Sequence, residues 1–170
     1  PVIAAQAAQL TVFQRTPNFT VPTRNARLRP EEWAQIKRDY RAIRQKTRET
    51  HAGFPYDAIE RSAFDVSVEE RRQVYEQLWA EGGFKFLWGS FSDILRDKRA
   101  NETAAEFIRS KIREIVKDPG TAEKLCPTDH PYGTKRPPID TDYYVTFNRE
   151  NVSLVDIRRT PIVEILPEGI

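Results

Sequence analysis

Strand-forming sequence occupies the two ends of this chain, and what lies between reads as helix and connection. Near the start, Leu10-Thr-Val-Phe-Gln-Arg15 combines β-branched and aromatic residues and closes on Thr16-Pro17, a turn signal. Near the other end, Val152 to Val155 and Ile162 to Leu166 are short apolar runs bounded by polar residues. Strands so distant in sequence can share a sheet only across a long excursion, so the pattern predicts an α/β fold with residues 30–126 inserted into it or draped over it. Residues 1–8 predict the second half of a helix leading into the first strand, and no G-x-G-x-x-G turn precedes them.

The excursion divides at its own punctuation. Pro17 to Arg29 reads as a polar connection, after which Pro30-Glu31-Glu32 opens a helix with proline and acids in the first turn. Trp33, Ile36, Tyr40 and Ile43 recur at helical spacing and predict a packing face. A looser section, His51 to Asp65, leads to Ser67, an expected N-cap with Glu70 as its capping-box partner. Val68, Val74, Leu78 and Trp79 should then face inward, and Gly82-Gly83 should end the helix. Phe84 to Leu95 predicts an aromatic helix docked on another layer. Asn101 is expected to cap a helix running to about Val116, with Ala104, Ile108, Ile112 and Ile115 on one stripe and Arg109, Lys111 and Arg113 on a solvated face. A short helix before Cys126, a loop from Pro127 to Asp142, and a helical turn within Thr141 to Arg149 complete the reading.

Charge and composition narrow the function. With 27 basic and 25 acidic residues, the chain has no excess that would mark a dedicated nucleic-acid surface. A single cysteine, Cys126, excludes an intrachain disulfide and a cysteine-rich zinc site and predicts a buried structural thiol. His51 and His130 show no metal-ligand spacing and are assigned hydrogen-bonding roles, so no metal is expected. No stretch is apolar enough to span a bilayer and no basic secretion start is present, so a cytoplasmic setting without membrane contact is expected. Arg15 and Thr16 carry the sharpest chemical signal. At the end of a strand in a dinucleotide fold, an acidic residue reads a free ribose 2′-hydroxyl, whereas a forked cation beside a short hydroxyl suits a 2′-phosphate, and hence NADPH. Tyr132-Gly-Thr-Lys135-Arg136-Pro-Pro138 adds adjacent cations held between glycine and proline, able to converge on one polyanion. Asp140 and Asp142 beside it are assigned to loop organisation.

Four segments, in order, carry a family likeness: Val12-Phe-Gln-Arg15-Thr16-Pro-Asn-Phe, Ile94-Leu-Arg-Asp, Phe107-Ile-Arg-Ser-Lys-Ile-Arg and Pro131-Tyr-Gly-Thr-Lys135-Arg136. Together they resemble the flavin-dependent Baeyer-Villiger monooxygenases across essentially all 170 residues. The resemblance implies an α/β fold, a partial Rossmann-like NADP-binding domain with a large helical insertion. Residues 1–29 and 127–170 would be portions of that domain and 30–126 the insertion. It implies FAD and NADPH as cofactors, a ketone and O2 as substrates, and insertion of one oxygen atom beside the carbonyl to give an ester or lactone. Arg15 and Thr16 would contact the 2′-phosphate of NADP, Lys135 would complete that site, and Arg136 would stand near flavin and nicotinamide to support the anionic flavin peroxide. The family's glycine-rich FAD and NADP motifs are absent from these residues, so the resemblance implies an internal section, inactive alone, that needs missing flanking segments of the enzyme. Two alternatives stay open: a noncatalytic helical interaction module, and a flavin-dependent monooxygenase that hydroxylates nitrogen.

Overall fold

A computed structural model describes residues 1–170 as α1 (Val2–Gln6), β1 (Leu10–Gln14), β2 (Val21–Pro22), α2 (Pro30–Glu49), α3 (Val68–Glu81), α4 (Lys85–Trp88), α5 (Lys98–Ile115), α6 (Pro119–Leu125), β3 (Ile139–Asp140), α7 (Tyr143–Thr146) and β4 (Val152–Asp156). The two ends of the chain do meet: β1 and β4 pair in parallel, in register from Leu10↔Val152 to Gln14↔Asp156. Parallel pairing needs a crossover, and the helical middle supplies it. A second parallel pair joins β2 to β3 through Val21 N–H to Pro138 O at 3.1 Å and Thr23 N–H to Asp140 O at 2.8 Å. These two strands fall inside stretches expected to be irregular, because two residues are too few to show an alternation. Ile162 to Leu166 is not a strand: Val163 and Ile165 are exposed, and the backbone makes only an isolated bridge between Leu166 and Gly169. Its apolar composition finds no strand partner.

The helices follow their caps. Ser67 Oγ accepts from the Glu70 N–H at 3.1 Å to start α3, whose Tyr75, Leu78 and Trp79 are buried. Val68, expected to face inward, is exposed in the first turn. Gly82 ends the helix at φ 74°, and a Cβ there would lie 2.6 Å from the Pro22 carbonyl oxygen, so glycine lets α3 abut β2 directly. The expected helix over Phe84 to Leu95 contracts to the single turn of α4. Beyond Gly89 the backbone is drawn aside by bonds from Ile59 N–H to Ser90 O and from Ser92 N–H to Arg61 O, while Phe86 and Phe91 enter the core. The α2 stripe does not pack as expected: Trp33 is 51% and Tyr40 57% exposed, and no residue of the helix is buried.

Two further departures lie on α5. Its cap is Asp97, whose carboxylate accepts from the Arg99 and Ala100 N–H groups at 2.8 Å, so Asn101 sits inside the first turn. Only 6% exposed, Asn101 accepts from Tyr132 N–H at 2.9 Å and donates to Tyr132 O at 2.8 Å and Ile94 O at 2.7 Å. Arg109, placed on a solvated face by the sequence, is 7% exposed; it pairs with Glu102 and Glu106 and donates to Pro127 O at 3.1 Å. Ala104, Ile108 and Ile112 are buried as expected. Cys126 is buried too, which pushes its thiol up to about 11. An aromatic cluster fills the centre, with Phe86 stacked on Phe107 at 5.4 Å and edge-on to Tyr132 at 5.7 Å.

Replacing Asn101 with Ala would leave the Tyr132 amide and two carbonyls buried without partners. The expected loss is about 3 kcal/mol of unfolding free energy, since each orphaned group costs roughly 1–3 kcal/mol, and urea denaturation with an unchanged m-value would measure it.

Candidate functional site

Because β1 and β4 run parallel and in register, their carboxyl ends emerge at one edge of the sheet, the edge at which open α/β sheets bind ligands. Arg15 and Thr16 leave β1 there, and Ile157 N–H donates to Gln14 O at 3.0 Å to bring the chain after β4 alongside. Beside them opens a cleft of about 620 Å³ lined by Phe13, Arg15, Thr16, Asn18, Asp140 and Tyr143. Arg15 is exposed and Thr16 half-buried. Asp140 organises the wall as expected, its carboxylate accepting from Thr20 Oγ1 at 2.8 Å and from Tyr143 N–H at 2.9 Å. Asp142 acts through its backbone, a left-handed residue whose carbonyl receives Thr146.

A continuous set of polar contacts links this strand end to the loop carrying the other two candidates. Arg158 Nη2 donates to Thr16 Oγ1 at 2.7 Å and to Asp129 Oδ2 at 2.9 Å. Asp129 Oδ1 meets His130 Nδ1 at 2.6 Å, and His130 Nε2 meets Asn18 Oδ1 at 3.3 Å. Asn18 Nδ2 then donates to the Arg136 carbonyl at 3.3 Å. The hydrogen bonds from His130 and Arg158 hold the Asp129 carboxyl down at about 2. His130 thus takes the hydrogen-bonding role assigned to it, and its ring also stands edge-on to Phe19 at 5.4 Å.

The loop itself is fixed from the other side. Tyr132 is buried between Phe19 and Phe86, and Gly133 adopts φ 84° where a Cβ would come within 2.7 Å of Leu95 Cδ2. Lys135 and Arg136 project from this anchored turn, both exposed. The main chain of Arg136 is therefore tied to the Arg15–Asn18 segment, but its side chain turns elsewhere. Its guanidinium lies 5.1 Å from the Phe84 ring centroid, at a second cleft of about 420 Å³ lined by His51, Phe54, Phe84, Leu87, Trp88 and Arg136. The structure so places Arg15 and Thr16 at one cleft, Arg136 at an aromatic one, and the Lys135–Arg136 backbone between them.

Asn18, Asp129 and Arg158 are site residues that the sequence reading did not single out. Arg158 stands at the same offset beyond β4 as Thr16 beyond β1, but that register, Gln14 opposite Asp156, becomes visible only once the strands are paired. Asp129 carried no signal in the sequence, since its importance comes from a contact made across 29 residues.

No protein-family model matches the chain. Among curated proteins it is 44% identical over 170 residues to 2-oxo-Δ3-4,5,5-trimethylcyclopentenylacetyl-CoA monooxygenase of Pseudomonas putida, covering all of this chain and 31% of that protein. It is 44% identical over 165 residues to a phenazine N-monooxygenase of Lysobacter antibioticus and 41% identical over 165 residues to a Baeyer-Villiger monooxygenase of Pseudooceanicola batsensis, in each case covering 96% of this chain and 30% of the relative. The chain thus spans about a third of the length of the curated relatives it matches. A crystal structure of OTEMO in complex with FAD and NADP superposes with a TM-score of 0.97 at 44% identity, covering 100% of this chain and 32% of that one. No helix is long and apolar enough to cross a membrane.

A carboxyl with a lowered folded pKa adds stability above its unfolded value, about 3.9 for Asp, and that stability is lost as pH falls through the folded value. Asp129 should therefore contribute fully above about pH 4 and cease to contribute near 2. Carboxyl NMR should show the Asp129 midpoint near 2 in the native protein and a rise toward the ordinary Asp range in Arg158→Leu; an ordinary midpoint in the native protein would contradict the contacts.

Proposed function

Since the chain is homologous along its whole length to one stretch of the Baeyer-Villiger monooxygenases, we propose that it forms the NADPH-handling part of an FAD-dependent enzyme that inserts one oxygen atom from O2 beside a ketone carbonyl, giving an ester or lactone. The observation that carries this reading is the position of Arg15 and Thr16 at the carboxyl end of β1, opening on a cleft also lined by Asn18, whose side chain donates to the Arg136 carbonyl. Residues 1–29 and 127–170 would make up the NADP-binding portion and 30–126 an insertion that braces it. Segments of the relatives beyond the matched stretch would supply the flavin's own site.

The residues present suit the nucleotide. Arg15 offers a planar fork of donors and Thr16 a short hydroxyl, the pair that favours a 2′-phosphate over a 2′-hydroxyl, and Lys135, exposed on its loop, would add further positive charge to that site. Flavin, when bound, supplies the redox chemistry, accepting hydride from NADPH and delivering oxygen to the ketone. Arg136 serves that chemistry by remaining charged at the mouth of an aromatic cleft. Phe54, Phe84 and Trp88 line that cleft with apolar surface, and the exposed guanidinium would meet negative charge that develops on oxygen once the cofactors are bound over it. The ketone would occupy the same cleft.

One observation favours a second reading, oxygen transfer to nitrogen: the phenazine N-monooxygenase relative is as similar in sequence as the trimethylcyclopentenylacetyl-CoA enzyme.

Incubating full-length FAD-loaded enzyme, with the segments beyond the matched stretch, with NADPH, O2 and either a cyclic ketone or phenazine separates the two by mass spectrometry of the products. A lactone supports the first reading and an N-oxide with untouched ketone the second; neither product from FAD-loaded protein would overturn both. Arg136→Ala should lower lactone formation by about 100-fold or more, the loss expected for one charge-stabilising donor, while unfolding transitions stay unchanged because the side chain is exposed.

A further inference from the structure

We propose that Arg158 is a positioning residue for recognition of the 2′-phosphate, aiming the Thr16 hydroxyl at it and thereby setting the preference for NADPH over NADH. This rests on the nucleotide reading above and extends it to a residue outside the cleft wall.

Arg158 Nη2 carries two hydrogens, and the structure uses both, one on Thr16 Oγ1 at 2.7 Å and one on Asp129 Oδ2 at 2.9 Å. A threonine hydroxyl that accepts from a guanidinium keeps its own hydrogen free, and the contact turns that hydrogen away from the cation. Thr16 lines the cleft, so the remaining hydrogen is free to be donated to an anion bound there. Donation from a charged group also polarises the hydroxyl and strengthens it as a donor. Without Arg158 the hydroxyl is free to rotate, and its hydrogen is no longer committed to the ligand.

Asp129 fixes the aim. Its two oxygens hold Arg158 on one side and His130 on the other, and His130 continues through Asn18 to the Arg136 carbonyl. The donor at the end of β1 is thus positioned by the same loop that presents Lys135.

Two probes isolate the phosphate: 2′,5′-ADP, which carries it, and 5′-AMP, which does not. In the native protein 2′,5′-ADP should bind more tightly. Arg158→Leu should weaken 2′,5′-ADP about tenfold, equivalent to about 1.4 kcal/mol, and leave 5′-AMP unchanged; in turnover, KM for NADPH should rise while kcat holds. Arg158→Lys, which keeps a charged donor in reach of Thr16, should lose less, and it stands in should the Leu variant fail to fold. Equal weakening of both probes, or undiminished preference for 2′,5′-ADP in Arg158→Leu, would overturn the assignment to Arg158 alone. Equal binding of the two probes to the native protein would remove the 2′-phosphate reading itself, and this inference with it.

Discussion

Everything at the candidate site depends on one buried amide. Asn101 closes both hydrogen-bonding groups of the Tyr132 backbone and takes up the Ile94 carbonyl as well, so a helix, the turn before it and a distant loop are locked by a single side chain. A loop rich in proline can satisfy few of its own backbone groups. Here α5 satisfies them instead, Asn101 at Tyr132 and Arg109 at Pro127. With Tyr132 wedged among Phe19 and Phe86, the four residues that follow have little freedom, and Lys135 and Arg136 are presented from a rigid base. Preorganisation of this kind matters for anion recognition, because long cationic side chains otherwise lose much of their gain to ordering entropy.

From that base the polar contacts run outward to the sheet. The path through Asn18, His130, Asp129 and Arg158 ends on Thr16, so it ties the carboxyl ends of β1 and β4 to the loop through polar contacts, with His130 alone also packed against buried Phe19. Such a path is partly exposed, and exposed ion pairs contribute little to stability. Its physical value lies in geometry: each donor and acceptor constrains the next, and the hydroxyl at its end keeps its hydrogen free to donate away from the guanidinium. The aromatic cleft at Phe84 works on a different principle. There Arg136 rests on a ring face, an interaction broad in angle and easily exchanged for a ligand, which suits a cation that must meet charge only as it develops.

The sequence made the outline legible where period and punctuation coincide. Ser67 to Gly82, the apolar stripe of α5 and the β1 run all emerged because caps, glycines and spacing agree. Arg15 and Thr16 were readable because a strand end is a fixed place in an α/β unit, and Lys135 and Arg136 because glycine and proline bracket them. What stayed hidden was long-range. Asn101 resembled a cap because asparagine favours caps, yet Asp97 four residues earlier took that role and freed Asn101 to clasp Tyr132. Arg109 looked solvated because its neighbours are charged, yet the Pro127 carbonyl draws it inward. β2 and β3 are too short to carry any period, and Ile162 to Leu166 has the composition of a strand without a partner.

The distribution of burial explains why the site is anchored from the helical side. Parallel strands normally gain stability by being covered on both faces, but β1 has Phe13 exposed and β4 is half-buried throughout. α2 contributes no buried residue at all. The apolar burial is concentrated among α3, α4, α5 and the Tyr132 loop, where Tyr75, Phe86, Phe91, Ile108, Ile112 and Tyr132 are almost fully enclosed. Within this stretch, the contacts from Asp129 and Asn18 tie the strand ends to the loop. The helical middle anchors the Tyr132 loop through Asn101 and Arg109, and that loop reaches the sheet edge through Asp129 and the Arg136 carbonyl, so the inserted helices take part in holding the strand ends against the cationic loop.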